Sequence, residues 1–285
     1  MIASGLIDKH AARRAFDRAA DSYDQAAVLQ RELAVRMLER LDYIRLRPRQ
    51  ILDLGCGTGF ALDALAQRYP EARLLALDFA LAMVQRSRQR DLPPQRLLSL
   101  CADIDNLPLA DNSVDLVFAN ATLQWSNDLE HSFAELYRCL RPGGLLLFTT
   151  FGPDTLIELR HAWAQVDGGA HVSPFWDMHD IGDALVRTHF ADPVLDVERI
   201  TLTYSDLRAL MRDLKHLGAQ NPLHQRPRGL TSRQRLAALE SAYEPMRTAG
   251  RLPSTWEVVH GQAWIGATKH EDAFHLPISA IGRQR

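Results

Sequence analysis

The segment that most constrains the fold of this chain reads ILDLGCGTG and spans residues 51–59. Its first four residues are mostly apolar and predict a buried strand, and the glycines that follow predict a sharp turn into a helix. Glycine lets the backbone approach a ligand and adopt positive φ, while free N–H groups of the first helical turn face the crevice. The segment therefore predicts a site for a nucleotide-like cofactor, and the alternative is a tight turn that binds nothing.

The spacing of the glycines distinguishes between cofactors. A dinucleotide-binding turn has the pattern Gly-x-Gly-x-x-Gly, whereas here the third glycine comes one residue early and an aspartate precedes the first. That carboxylate would repel a phosphate and would suit the ammonium group of a methionine moiety, directly or through water. The pattern therefore favours S-adenosylmethionine over NAD. The predicted contacts in this segment are Asp53, Gly55, Cys56, Gly57 and Gly59.

Carboxylates also follow the next two predicted strands. Residues 73–78 form a short apolar run that ends in Asp78, where a carboxylate can accept hydrogen bonds from both ribose hydroxyls. Asp78 could instead cap the helix that begins near residue 80. The third strand, residues 97–101, leads into Asp103, which is placed to accept from the adenine amino group. The carboxyl ends of parallel strands share one sheet edge, so we expect these side chains to lie together with their neighbours Phe79, Ala102 and Ile104.

Two further predicted strands complete a family pattern. Residues 114–119 precede Asn120 and Gln124, which we include among the cofactor contacts, although Gln124 could instead lie on a helix surface. Residues 145–150 follow an Arg-Pro-Gly-Gly turn. Together with the glycine turn and the aspartates, residues 48–150 resemble the class I S-adenosylmethionine-dependent methyltransferases. The resemblance implies an α/β, Rossmann-like fold and an enzyme that uses S-adenosylmethionine.

The rest of the chain predicts helical segments around this core. Residues 8–42 carry apolar residues at helical spacing and predict one or two amphipathic helices that cover the cofactor as a lid. Residues 194–204 and 256–267 alternate as strands and would pair antiparallel at the sheet edge. We therefore predict a seven-stranded sheet and four chain regions: a helical lid at 1–45, a methyltransferase core at 46–204 and 254–268, a helical substrate cap inserted at 205–253, and a poorly ordered tail at 269–285.

Segments outside the core narrow the resemblance. Residues 15–30, AFDRAADSYDQAAVLQ, are similar to the N-terminal segment of the methyltransferases that esterify the malonyl carboxylate of malonyl-acyl carrier protein in biotin synthesis. The segments 151–167, 171–175 and 178–182 are similar to the corresponding stretch of the same family, and residues 210–221 and 230–233 resemble its substrate cap. The resemblance implies methyl transfer from S-adenosylmethionine to the free carboxylate of a malonyl thioester, on acyl carrier protein or on coenzyme A. The product would be the malonyl methyl ester that starts pimeloyl-chain assembly.

The expected chemistry depends on positioning, because a malonyl carboxylate is already ionised near pH 7 and needs no general base. We expect Tyr23 in the lid to hydrogen-bond the cofactor or the reacting carboxylate, with packing of the lid as the alternative. A cation should bind the carboxylate, and the insertion offers Arg212, Lys215, Arg228 and Arg233. The sequence does not decide among these four, and each could be a solvated surface residue.

The composition favours an enzyme without a metal, a membrane partner or a nucleic-acid partner. The chain has 285 residues, a formal net charge of −2 and no apolar run that approaches the length of a membrane span. Its three cysteines are far apart and are interpreted as small buried residues, and its eleven histidines show no paired ligand spacing. We expect a cytoplasmic protein, because no charged and apolar leader is present. An acidic carrier protein would dock on a local basic patch, formed by Arg13, Arg14 and Arg18 or by Arg226, Arg228, Arg233 and Arg235.

Three other functions stay open from the sequence. A closely similar family acts in mitochondria as an assembly factor for respiratory complex I and hydroxylates a partner protein, and it shares residues 154–156, 158–160 and 173–175 with this chain. The absence of an Arg- and Ser-rich leader argues against that family. The other two are a different small-carboxylate methyltransferase and a binding protein that keeps the fold without turnover. The intact set of glycines and aspartates argues against the binding protein.

Overall fold

The computed structural model describes residues 6–227, 229 and 231–266. Its centre is a seven-stranded sheet with the strands β1 Gln50–Leu54, β2 Arg73–Asp78, β3 Leu97–Cys101, β4 Val114–Ala119, β5 Leu140–Phe151, β6 Ala191–Tyr204 and β7 Leu252–Trp264. Their order is β3-β2-β1-β4-β5-β7-β6. The first five strands are parallel, whereas β7 is antiparallel to both of its neighbours. The predicted seven-stranded class I fold is therefore confirmed.

The strand order determines where a ligand can bind. Strands β1, β2 and β4 are almost wholly buried, because helices cover both faces of a parallel sheet. The chain moves outward from β1 through β2 to β3 and then returns to place β4 on the other side of β1. This reversal opens a crevice at the carboxyl ends of β1 and β4, which is the usual ligand position in open α/β sheets.

Helices pack on both sides of the sheet and over its carboxyl edge. They are α1 Lys9–Ala19, α2 Tyr23–Ala26, α3 Val28–Arg40, α4 Leu62–Arg68, α5 Leu81–Ser87, α6 Leu129–Cys139, α7 Ile157–Ala164, α8 Met178–Arg187, α9 Leu207–His216 and α10 Arg233–Tyr243. Side-chain caps begin several of them: Asp8 Oδ1 accepts from Ala11 N, and Asp206 Oδ1 accepts from Ala209 N. Helices α9 and α10 lie in the segment between β6 and β7, where the sequence predicts an insertion.

The N-terminal segment differs from its prediction, because residues 8–42 form three helices instead of one or two. The first break follows Ala19, whose carbonyl accepts hydrogen bonds from both N and Oγ of Ser22. A serine that bonds to the preceding turn in this way competes with helix continuation. The second break is at Ala27, which has non-helical ψ of 43°. The lid therefore consists of separate helices, and α1 and α3 pack on different parts of the core.

Two further predictions are corrected. Strand β5 begins at Leu140, five residues earlier than predicted, because Gly143 N and Gly144 O both bond to Ile265 after β7 and draw the Arg-Pro-Gly-Gly segment into the sheet. Cys101, predicted to be buried, is exposed, because β3 is the edge strand of the sheet. The predicted tail, 269–285, and Arg228 lie outside the described residues.

The lid and the insertion share one apolar cluster. Leu29 and Leu33 of α3 pack in it with Trp163 of α7, Leu210 of α9 and Leu239 of α10. Helix α3 is therefore part of the core, not a detachable cover. Within the part of the chain that the structure describes, no helix is long and apolar enough to cross a bilayer, and no cluster of three or more His, Cys, Asp or Glu side chains could hold a metal ion.

Candidate active site

The glycine turn after β1 lies at the carboxyl edge of the sheet. Gly55 and Gly57 have φ values of 67° and 53°, a region that favours glycine. A Cβ atom at Gly55 would lie only 2.2 Å from Thr122 Oγ1, and that hydroxyl donates a hydrogen bond of 2.9 Å to the Leu54 carbonyl. The loop after β4 is thus held directly against the turn. Thr122 is a site residue that the sequence analysis missed.

Asp78, at the end of β2, both shapes the turn and lines the cavity above it. Its Oδ2 accepts a hydrogen bond from Gly57 N at 3.0 Å, and its Oδ1 accepts one from Ala80 N at 2.8 Å. Burial raises the pKa of Asp78 to about 6, although both N–H groups act in the opposite direction. Each oxygen keeps a further lone pair, so the carboxylate can still accept from ligand hydroxyls. The ribose contact stays a prediction that this geometry permits.

Asp53 supplies the best test of whether the cofactor fits this turn. The side chain is 3% exposed, and its Oδ2 has no hydrogen-bond partner among the described residues. Burial, followed by the negative charge of Asp78, raises the pKa of Asp53 to about 7. Gln30 Oε1 is a second buried acceptor without a partner among the described residues, and Gln30 and Asp53 line one cavity beside the glycine turn. Each of the two oxygens can accept a hydrogen bond from an ammonium group, so these residues fit the methionine end of S-adenosylmethionine.

The predicted cofactor residues converge with one exception. A cavity over β1, β2 and β4 is lined by Gly55, Gly57, Asp78, Phe79, Ala102, Asp103, Ile104, Asn120 and Gln124. An adjoining cavity is lined by Asp53, Cys56, Gly57 and Asn120. Gly59 lines neither of the two, and a Cβ there would lie 2.7 Å from Leu62 Cδ1 and 3.2 Å from the backbone of Ser87. The position of Gly59 therefore indicates helix packing instead of cofactor contact.

Helix α1 covers the cofactor cavity with Lys9 and Phe16, which the sequence analysis did not identify as site residues. Lys9 Nζ donates a hydrogen bond of 2.5 Å to Asp103 Oδ1 and a second one to Asp105. The ring of Phe16 packs 5.0 Å from that of Trp125, centroid to centroid. Lys9, Phe16 and Trp125 all line the cavity. Lys9 and Asp103 are 94 residues apart, so no local sequence signal could have paired them.

Tyr23 lies over the glycine turn. A Cβ at Gly57 would be 3.6 Å from the Tyr23 ring, which lines the cofactor cavity and the adjoining one. Burial, together with the charges of Asp78 and Asp24, raises the pKa of the Tyr23 phenol. The hydroxyl is therefore protonated near neutral pH and can donate a hydrogen bond, but it is not a base. This position favours a contact with the cofactor.

A second cavity, of about 760 Å³, extends from the first toward α7, α9 and α10. The two cavities share five lining residues, which makes them neighbours across one narrow wall. None of the five side chains carries or exchanges a proton near neutral pH. They are Gln124, Trp125, Phe151, Ala219 and Trp256.

Most basic residues around the second cavity already have an acidic partner. The pairs are Arg208 with Glu240, Arg226 with Asp8 and Arg235 with Asp167. Two predicted carboxylate-binding candidates, Arg212 and Lys215, also line the cavity from α9, and neither forms an ion pair with another described residue. Both are exposed, which places them on the open side of the cavity. Arg233, the third candidate, is exposed at the start of α10 and does not line this cavity.

Comparisons with known proteins agree with this geometry. Residues 52–148 match a family model described as a methyltransferase domain. The fold is similar to that of geranyl diphosphate C-methyltransferase from Streptomyces coelicolor, solved with Mg²⁺, geranyl diphosphate and S-adenosylhomocysteine. The TM-score is 0.51 at 16% identity, over 82% of this chain and 80% of that one. At this identity the likeness supports the fold alone.

Two curated relatives are far more similar in sequence. Malonyl-acyl-carrier protein O-methyltransferase from Laribacter hongkongensis is 52% identical over 270 residues, which cover 92% of this chain and 91% of the relative. The protein of the same name from Gallionella capsiferriformans is 51% identical over 93% of each chain. An alignment over more than nine-tenths of the chain extends well beyond the methyltransferase-domain match at residues 52–148. The chain therefore belongs to the malonyl-acyl-carrier protein O-methyltransferase family of class I methyltransferases.

Proposed function

We propose that this protein transfers the methyl group of S-adenosylmethionine to the free carboxylate of a malonyl group carried on acyl carrier protein. The names of the relatives, at about half identity over nearly the whole chain, support this substrate. They also favour methylation over the protein-hydroxylase alternative. The unpaired Asp53 carboxylate supports binding of a cofactor with an ammonium group.

The wall between the two cavities is the observation that carries the proposal. A methyl acceptor must lie there, next to the cofactor, and the five shared side chains include no acid or base. An amine or hydroxyl acceptor needs a group that removes its proton, whereas a carboxylate is already ionised near pH 7. The site therefore suits a carboxylate better than the other common acceptors of methyl groups.

The chemistry requires orientation and the exclusion of water. S-adenosylmethionine supplies a methyl group made electrophilic by its cationic sulfur. A carboxylate oxygen forms the new C–O bond while the C–S bond breaks, and the electron pair of that bond stays on sulfur. No proton is transferred. Aromatic walls such as Phe151 and Trp256 would desolvate the carboxylate and hold one oxygen in line with the methyl group.

The second cavity also fits a substrate on a long arm. Its volume of about 760 Å³ exceeds what a malonyl group alone requires, and exposed residues such as Arg212 form part of its boundary. A thioester arm can therefore lead from the reacting carboxylate out to a carrier. Malonyl-coenzyme A has the same arm, so it is the second candidate substrate.

Mass spectrometry of malonyl-carrier protein after incubation with S-adenosylmethionine tests the proposal. We expect the carrier to gain one methyl group. Acetyl-carrier protein, which has no free carboxylate, is the matched control and should gain none. Malonyl-coenzyme A in a parallel reaction tests the second candidate. If neither malonyl thioester gains a methyl group while the enzyme binds its cofactor, the proposed substrate is wrong.

A further inference from the structure

Trp256 has an unsatisfied hydrogen-bond donor in the wall between the two cavities. It lies on β7, is 4% exposed, and lines both the cofactor cavity and the larger one. Its ring packs against that of Phe151, with 5.1 Å between the centroids. Its Nε1–H is buried and has no hydrogen-bond partner among the described residues.

A buried N–H without a partner points to a missing acceptor. Native proteins pair nearly all of their buried polar groups, and the exceptions often mark ligand sites. The indole N–H can only donate, so its partner must carry a lone pair. The predicted positions of the cofactor's own acceptors are elsewhere, with its methionine end near Asp53 and its ribose near Asp78. The methyl acceptor is then the ligand that meets Trp256.

We propose that Trp256 Nε1–H donates a hydrogen bond to one oxygen of the acceptor carboxylate and so orients the other oxygen toward the methyl group. This inference rests on the proposed function, because it takes a carboxylate as the acceptor. It assigns to one residue of β7 the contact that the sequence analysis sought among the cations of the insertion. Arg212 and Lys215, on the open side, would then act on the approaching substrate or its arm.

A neutral donor suits this reaction better than a cation. The carboxylate loses its negative charge as the C–O bond forms, so a close ion pair would stabilise the reactant more than the transition state. A single neutral indole N–H can fix the orientation of the carboxylate and stabilises the reactant less than an ion pair would. Two of the other four wall residues also carry donors. Gln124 already donates from Nε2 to Ala121 O at 2.6 Å and accepts from Thr150 at Oε1. Trp125 is only partly buried, and its indole N–H is not among the buried groups without a partner.

The variant Trp256→Phe removes the N–H and keeps an aromatic ring. We expect kcat/KM for malonyl-carrier protein to fall about 10- to 100-fold, the usual range for losing a hydrogen bond to a charged group. The dissociation constant for S-adenosylmethionine should stay within about twofold. Trp264→Phe, on the same strand but lining neither cavity, is the matched control and should behave as the wild type.

A neutral isostere separates the hydrogen bond from simple packing. Isovaleryl-carrier protein has the shape of malonyl-carrier protein with an isopropyl group in place of the carboxylate. With the enzyme saturated by S-adenosylhomocysteine, calorimetry should show that the wild type prefers the malonyl carrier and that Trp256→Phe loses the preference by weakening malonyl binding alone. Equal weakening of both carriers would overturn the proposal, as would a wild type without any preference.

A second replacement covers the case in which Trp256→Phe fails to fold. Site-specific incorporation of 3-benzothienylalanine at position 256 exchanges the indole N–H for sulfur and keeps the shape of the ring. It should reproduce the selective loss of malonyl binding, and wild-type kinetics in this variant would exclude the hydrogen bond. A wild type that prefers the malonyl carrier but does not methylate it would contradict the proposed function and leave the Trp256 contact standing.

Discussion

Two carboxylates, Asp53 and Asp78, lie buried beside the glycine turn, and burial raises the pKa of each, to about 7 and about 6. In the free protein, Asp53 is therefore mostly protonated below pH 7 and ionised above it. The ammonium group of the cofactor pairs only with the ionised form. Titration of Asp53 alone should raise the cofactor dissociation constant about eightfold between pH 7.5 and pH 6, and calorimetry should show at least this increase.

The variant Asp53→Asn isolates this titration. It removes the ionisable group without changing the size of the side chain, so binding should be weaker at pH 7.5 and should depend less on pH. The remaining dependence should lie near pH 6, where Asp78 titrates. A pH profile identical to that of the wild type would show that Asp53 does not pair with the ammonium group.

Arg212, Lys215 and Arg233 are all exposed cations of the insertion, but they differ in position. Arg212 and Lys215 line the second cavity, so alanine at either position should raise KM for malonyl-carrier protein. The expected increase is up to about fivefold, because exposed charges contribute little. Steady-state kinetics at saturating cofactor provide the measurement. Arg233→Ala is the internal control, and an equal or larger effect there would show that Arg212 and Lys215 do not guide the substrate or its arm into the cavity.

At the scale of elements, the sequence predicts the strands and their carboxylates better than it predicts the residues that other elements pack over the site. Strands β1 and β2 are short and largely apolar, and Asp53 and Asp78 lie within or at the end of these runs, so local patterns suffice there. The contacts of Lys9 and the position of Trp256 depend on how distant elements pack. The division of the lid into three helices was also not predicted, because the breaks at Ser22 and Ala27 involve no proline or glycine.

Helix α1 is held over the cofactor cavity by the pairs of Lys9 with Asp103 and Asp105. Deleting the whole lid would be a poor test, since Leu29 of α3 belongs to the core and its loss would unfold the protein. The variant Lys9→Met removes both ion pairs of α1 and leaves α3 in the core unchanged. We expect S-adenosylhomocysteine to dissociate about tenfold faster in stopped-flow experiments, because part-buried ion pairs of this kind hold a lid shut.

The conservative variant Lys9→Arg keeps the charge and should retain a dissociation rate near that of the wild type. Thermal unfolding of both variants checks that the core is intact. If Lys9→Met releases the ligand at the wild-type rate, α1 does not control access to the cavity. Lys9 would then contribute to stability only.

At the scale of the whole molecule, the formal net charge of −2 gives no general attraction for an acidic carrier protein. Docking by charge therefore needs a local patch. The structure favours the first of the two predicted basic patches. In the second patch, Arg226 is paired with Asp8 and Arg235 with Asp167, so part of its charge is already neutralised. Arg14 and Arg18 of α1 are exposed and form no ion pair with other described residues. Arg14 and Arg18 lie beside Pro222 and Arg226, and these two residues also line the second cavity.

The double variant Arg14→Glu/Arg18→Glu should therefore lower kcat/KM for malonyl-carrier protein about tenfold at low salt and flatten its salt dependence. Kinetics with malonyl-coenzyme A, which has no protein surface, should change little. The matched control is Arg45→Glu/Arg47→Glu, which alters the net charge equally just before β1, at the opposite edge of the sheet. Equal effects of the two double variants would indicate a global field. No effect of either would exclude the Arg14 and Arg18 patch, because the carrier would then dock through apolar contacts or through the second patch, in which Arg233 is exposed.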